Sequence, residues 1–316
     1  WSDVEALLKV TNVSCVALCD VDANVLQKRK AELAAKGIAV KTYENYKDLL
    51  KDKSIDAVII GTPDHWHALQ MIDACRAGKA VYVEKPLGNA MEECDRMVAV
   101  ANEHQAVVQV GQWQRSQQHF RDAIAFVHSG KLGKIRLVKA WSYQGWMKSI
   151  PVKADEAVPA GVNYDLWLGP APKRNFNANR FHFEFRWFWD YAGGLMTDWG
   201  VHMLDYALYG MQVSDPKTIM AAGGKFAYPQ DAAETPDTLT TVFEFDDFNI
   251  QWEHANGIDL GPYGKDHGVA FIGNFGTLVV NRGGWEVIPE KGRMEAVAFQ
   301  PAVDNGLEKH MHNFVA

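Results

Sequence analysis

The stretch AVIIGTPDHWHALQMIDACRAGKAVYVEKPLG, residues 57–88, decides the fold. It opens on an apolar run, 57–61, too short for a helix and suited to a buried strand. A Thr-Pro turn follows, then a helical pattern over 66–77 that Gly78 stops. A second apolar run, 80–84, ends on Glu84-Lys85-Pro86. Two buried strands joined by a helix of this length imply a parallel pair, because parallel neighbours need a long crossover.

The same alternation continues in both directions. Upstream lie a helical pattern at 3–10, an apolar run at 13–19 ending at Asp20, a helix at 25–36, a strand at 40–43 and a short helix at 46–51. Downstream lie a helix at 91–104 and a strand at 107–110. This is the pattern of a Rossmann-type α/β domain, a doubly wound parallel sheet with helices on both faces. No strand precedes the helix at 3–10. The order therefore places a first strand and a Gly-rich turn before Trp1, and the helical pattern at 305–316 stops short. The chain is read as a piece of a longer protein.

The rhythm changes after Gly111. A helix at 117–128 leads to a half-buried strand at 135–143. Residues 151–178 are rich in Pro, Gly and Asn and read as a long surface loop. A helix is expected at 195–209. Strands follow at 218–222, 239–245, 249–253, 268–272, 277–281 and 285–288, with hairpin turns at 246–247 and 274–276. The expectation is a dinucleotide-binding domain over 1–114 and, over 115–316, an α+β substrate-binding and oligomerisation domain with a large, mostly antiparallel open sheet.

Composition excludes several classes. The chain has 316 residues, of which 47% are hydrophobic and 22% charged, enough to bury a real core. Its net charge of −7 is interspersed, with no basic block to serve as a nucleic-acid footprint. Apolar runs such as 57–60 and 97–101 are too short to span a membrane. The cysteines, at 15, 19, 75 and 94, match no zinc spacing. Cys15 and Cys19 are expected as buried thiols on an apolar strand. His65 and His67 have no third ligand set by spacing, so no metal is expected.

Some residues carry chemistry. Asp20 closes an apolar strand where a dinucleotide fold places the carboxylate that accepts from the ribose hydroxyls. An Asp that only ends a strand or caps the next helix is the competing reading. With no positive charge beside it, the position favours NAD over NADP. Asp198 and His202 are four apart on a helical pattern and share a face. Histidine titrates near neutral pH and suits a base that removes a hydroxyl proton; the carboxylate would stabilise the imidazolium. A capping Asp and a core His would leave the same trace.

Three segments in order carry a resemblance: Gly61-Thr62-Pro63-Asp64-His65-Trp66-His67, Glu84-Lys85-Pro86 after Gly78-Lys79, and Gly193-Gly194-Leu195-Met196-Thr197-Asp198-Trp199-Gly200-Val201-His202. Together they resemble the glucose–fructose oxidoreductase, inositol dehydrogenase and rhizopine-catabolism (Gfo/Idh/MocA) family over nearly the whole chain. Residues 181–194, FHFEFRWFWDYAGG, further resemble a branch common in glycan-degrading bacteria. Asp64 stands where the family often has Asn.

The resemblance implies an NAD-dependent oxidoreductase acting on a secondary hydroxyl of a sugar, glycoside or polyol. It implies catalytic roles for Lys85, Asp198 and His202. It puts Thr62, Pro63, His67, Glu84, Lys85 and Pro86 beside the cofactor, with Asp20 on its ribose, and suggests a cis bond before Pro86. Gln112, Arg115, His182, Arg186 and Tyr191 are the substrate contacts expected. A homodimer or homotetramer is implied, in the cytoplasm or periplasm. Two other functions fit the motifs. One is a glycosidase or lyase that retains NAD and works by transient oxidation and elimination, with Tyr191 or His182 as a second base. The other is a non-catalytic nucleotide- or sugar-binding protein.

Overall fold

Five short parallel strands form from the apolar runs of the first half: β1 (Ala17–Cys19), β2 (Lys41–Tyr43), β3 (Ala57–Ile60), β4 (Ala80–Val83) and β5 (Val108–Val110). The computed structural model describes residues 1–316 as two compact units. The first comprises Trp1–Gly111, Lys153–Ala192 and Met311–Ala316. Within it β1 pairs with β2, while β3, β4 and β5 form a separate sheet in that order.

The run at 13–19 was expected as one strand, but only its last three residues are in β1. A strand is held by its ladder, and β1 has a ladder on the β2 side alone. Cys15 and Cys19 are correspondingly half-buried, not buried, and Cys75 is the buried thiol. Helices Asp64–Arg76 and Met91–Glu103 bury Ala68, Met71, Cys75, Met97 and Val100 against Ile60, Val81 and Val83.

Lys153–Ala192 lies beyond the boundary expected at 114 and packs in the first unit. The loop expected at 151–178 is largely irregular, but it is not confined to the surface. Tyr164, Trp167, Leu168 and Phe176 are buried, and Tyr164–Leu168 is a short helix. The Trp167 carbonyl accepts the Trp66 indole N–H at 2.8 Å and lies 3.1 Å from His65 Nε2. Gly169 sits at φ +50°, where a Cβ would run into the Trp66 indole. Aromatic burial outweighs the loop-forming composition.

The second unit, Gln112–Val152 and Gly193–His310, is built on one sheet. Its strands are β6 (Ile135–Gln144), β7 (Thr218–Gly224), β8 (Thr238–Glu244), β9 (Asn249–Asn256), β10 (His267–Gly273), β11 (Gly276–Asn281), β12 (Gly284–Pro289) and β13 (Val297–Pro301). Their order is β13-β12-β11-β10-β6-β9-β8-β7, antiparallel throughout except β6 with β9. Helices Gln118–His128 and Val201–Met211 cover one face, where Phe120, Ile124, Met203 and Tyr206 meet Val138, Ile250, Trp252 and Phe271. The last strand, β13, was not expected. The helix expected at 195–209 opens instead with a π-helical turn, Met196–Gly200. Such turns are uncommon and recur at functional sites. No helix is long and apolar enough to cross a membrane.

Candidate active site

In the first unit the expected residues gather at the C-terminal ends of the parallel strands, the edge where ligands bind in such sheets. Asp20 follows β1, and its Oδ1 accepts the Asp22 N–H at 2.9 Å. Burial raises its carboxyl above the ordinary value. Asp22 is the capping residue. It accepts the N–H groups of Asn24 and Val25 at the start of helix Ala23–Ala35 and lies 3.1 Å from His182 Nε2. His182, expected against substrate, is thus placed beside the turn after β1.

Glu84, Lys85 and Pro86 follow β4, with a cis peptide before Pro86 as the resemblance suggested. Burial, then the neighbouring Asp3, push the Glu84 carboxyl up to about 7 against the opposing Lys85 charge. Its Oε2 accepts the Lys85 N–H at 3.1 Å. A Cβ at Gly111, where β5 ends, would collide with its carboxyl group, which would have to shift.

His67 is buried under these turns. Its Nδ1 lies 2.7 Å from the Pro86 carbonyl and its Nε2 2.9 Å from the Thr62 carbonyl. Burial lowers its basicity, and a neutral ring donates to one of the two. With 1% exposure it ties the turns after β3 and β4 together. Thr62 Oγ1 donates to Gln70 Oε1 at 3.0 Å, and Pro63 starts helix Asp64–Arg76. A strand-end carboxylate suited to a ribose diol, close-packed turns and an ammonium-bearing Lys85 form a donor set that fits a dinucleotide.

Two expected substrate contacts in this unit are otherwise engaged. Tyr191 has no exposed surface and packs edge-on to Trp167 at 4.9 Å; burial raises its phenol above the ordinary range. Arg186 stacks over Phe183 and Phe185, at 4.5 and 4.8 Å, and donates to the Phe183 carbonyl.

In the second unit His202 lies on helix Val201–Met211, 5% exposed, with Nδ1 3.1 Å from Gln112 Oε1. The Gln112 amide nitrogen donates to the Val201 carbonyl at 3.4 Å. The oxygen must therefore face the imidazole, which makes Nδ1 the donor and Nε2 the unprotonated nitrogen of the neutral ring. Gln112, expected to line the substrate, orients the ring. The sequence hid this role, because the partners are 90 residues apart. Asp198 occupies the π-helical turn, with the Arg282 guanidinium as a charge partner. Arg115 is forked onto Asp205 at 2.8 and 2.7 Å and lies over Tyr209. Arg282, Gly111 and Asp22 were not singled out from the sequence. Only Asp22 left a signal there, as the first polar residue before a helical pattern.

Two family models match this chain. Residues 1–112 match the Gfo/Idh/MocA oxidoreductase family model for the NAD-binding Rossmann fold, and 138–247 match its C-terminal alpha/beta domain. The chain belongs to the Gfo/Idh/MocA family. Its cofactor is NAD, and it is an oxidoreductase. Within the Gfo/Idh/MocA family it is similar to the oxidoreductase YrbE of Bacillus subtilis, 23% identical over 88% of this chain and 69% of that one. The match to inositol 2-dehydrogenase of Salmonella typhimurium is 30% identical over 42% of this chain and 39% of that protein. Among solved structures, levoglucosan dehydrogenase in complex with NADH and levoglucosan superposes with a TM-score of 0.71 at 18% identity, covering 99% of this chain and 86% of that one.

Proposed function

We propose that this protein oxidises a secondary hydroxyl of a sugar or polyol to a ketone, with NAD⁺ as the hydride acceptor. The Gln112–His202 hydrogen bond carries the reading. It fixes the tautomer in which Nε2 can take a proton, on a residue the family motif makes catalytic. Similarity to an inositol and a levoglucosan dehydrogenase supports a cyclic polyhydroxy substrate.

In this reading His202 Nε2 accepts the proton of the reacting hydroxyl, and the Asp198 carboxylate offsets the positive charge the ring acquires. Lys85 Nζ donates to the hydroxyl oxygen and stabilises its developing negative charge. Bound NAD⁺ supplies the acceptor for the hydride leaving the carbon. Asp20 would hold the cofactor's ribose, and the turns at Thr62-Pro63 and Glu84-Pro86, tied by His67, would line its site. Of the stretch 181–191, the exposed Phe183 and Trp189 offer aromatic faces to the sugar. The complete burial of Tyr191 weakens the glycosidase alternative, for which it is one of two candidate second bases. Exposed Ile219 and Met220 on the edge strand β7 support self-association as a homodimer or homotetramer.

The test is NADH formation from a panel of inositols, anhydrosugars and hexoses. Lys85→Met and His202→Gln should each lower kcat by about 100-fold or more while the fold is retained. Full turnover in both variants would remove the assignment. Cleavage of a chromogenic glycoside without net NADH would select transient oxidation and elimination.

A further inference from the structure

Arg282 follows β11 in the hairpin to β12, and nothing in the family motifs points to it. Its guanidinium lies between two indoles, 4.9 Å from the Trp113 ring centroid and 4.3 Å from that of Trp199. Its Nε is buried without a hydrogen-bond partner. A charge so withdrawn from water needs compensation, here from two π-faces and from the carboxylates of Asp198 and Asp266.

The two indoles are informative by position. Trp113 directly follows Gln112, which orients the His202 ring, and packs edge-on to that ring at 6.2 Å. Trp199 directly follows Asp198 in the π-helical turn and packs edge-on to His267 at 5.0 Å. One guanidinium therefore grips the neighbours of both groups expected to act on His202.

The hairpin that carries Arg282 is itself pinned. The Asn281 carbonyl lies 2.9 Å from His119 Nε2, the Asn281 side chain accepts the Gly283 N–H at 2.9 Å, and the Arg282 N–H reaches His267 Nε2 at 3.4 Å. His267 Nδ1 is in turn 2.8 Å from Asp266 Oδ1.

We propose that Arg282 is a positioning residue for the acid–base centre: clamped between Trp113 and Trp199, it fixes the segments that carry Gln112 and Asp198 and so sets the tautomer and charge environment of His202. The proposal rests on the reading of His202 as the base. The charged and titratable groups that face Arg282 are Asp198 in the π-helical turn, Asp266, and His267 at the start of β10, with the His202 ring on the other contact of Trp113. Removing the guanidinium takes one positive charge out of this cluster and leaves the Asp198 carboxylate without it, and the His202 titration midpoint is expected to move up. A lysine restores the charge without the planar stack between the indoles.

The experiment is an imidazole ¹⁵N NMR titration of the full chain, comparing wild type with Arg282→Met and Arg282→Lys, and no substrate is needed. Arg282→Met should raise the His202 midpoint by about half a pH unit or more and weaken the Nδ1–H tautomer signature. Arg282→Lys should return most of the midpoint but not the full tautomer preference. Should Arg282→Met fail to fold, Trp199→Leu in its place should weaken the same tautomer signature, by opening one side of the clamp. An unchanged His202 midpoint and tautomer in a folded Arg282→Met, or in Trp199→Leu, would overturn the proposal. The role of His202 is read separately, by NADH formation in His202→Gln. Full activity there with a shifted midpoint in Arg282→Met would remove the catalytic reading and leave the positioning intact.

Discussion

At the scale of single residues, the chemistry depends on which imidazole nitrogen holds the proton. The Gln112 amide settles that for His202 through one oxygen and one nitrogen contact. Gln112→Leu removes the acceptor and frees the ring, so kcat should fall about tenfold with the Michaelis constant for NAD⁺ unchanged, as steady-state kinetics will show. Glu84 supports a second prediction, on stability. Its carboxyl is pushed up from an ordinary 4.5 to about 7, so its contribution is fully present below about pH 4.5 and is lost as pH rises through 7. Glu84→Gln should therefore melt above wild type at about pH 8 and at or below it at about pH 5, in thermal scans followed by circular dichroism. Lys85 and His202 stand out in their motifs, because the chemistry proposed for those positions requires a residue type. Gln112 and Gly111 do not, since their roles come from contacts with His202 and with Glu84 that only the folded chain creates.

At the scale of elements, the structure was legible wherever periodicity and ladder agreed. The helices at 64–76, 91–103 and 118–128 and the strands from β6 to β12 fall within a few residues of their expected places. The run at 13–19 was overestimated because hydrophobicity alone does not supply a pairing partner. The π-helical turn was invisible because the spacing of Asp198 and His202 suits an α-helix equally well. Strand β9 carries a prediction of its own. His254 is 2% exposed; the Trp252 indole donates to its Nδ1 at 3.3 Å, and its Nε2 lies 3.2 Å from the Pro236 carbonyl. That arrangement is neutral, and burial lowers its pKa from 6.5 to about 4. The stability it contributes is present above about 6.5 and is lost as pH falls through 4. His254→Gln should reduce acid destabilisation across that window by about 3 kcal/mol, measured by denaturant titration at each pH.

At the scale of the whole molecule, the division into a parallel-sheet unit and a large mixed-sheet unit follows from the change in rhythm after Gly111. Residues 153–192 resisted that reading because no period marks them. They pack in the first unit through dispersed aromatics, with Trp167 reaching His65 and Trp66. The family match gives this architecture a hydride acceptor, and the strand-end residues give that acceptor a fitting donor set. What distinguishes net oxidation from transient oxidation is the fate of the hydride. The decisive measurement follows deuterium from the reacting carbon of a labelled polyol found active in the panel. The account predicts deuterium in the reduced nicotinamide of released NADH, transferred more slowly by about 100-fold or more after His202→Gln. Deuterium retained in or returned to the sugar product, or equal transfer by the His202 variant, would contradict it.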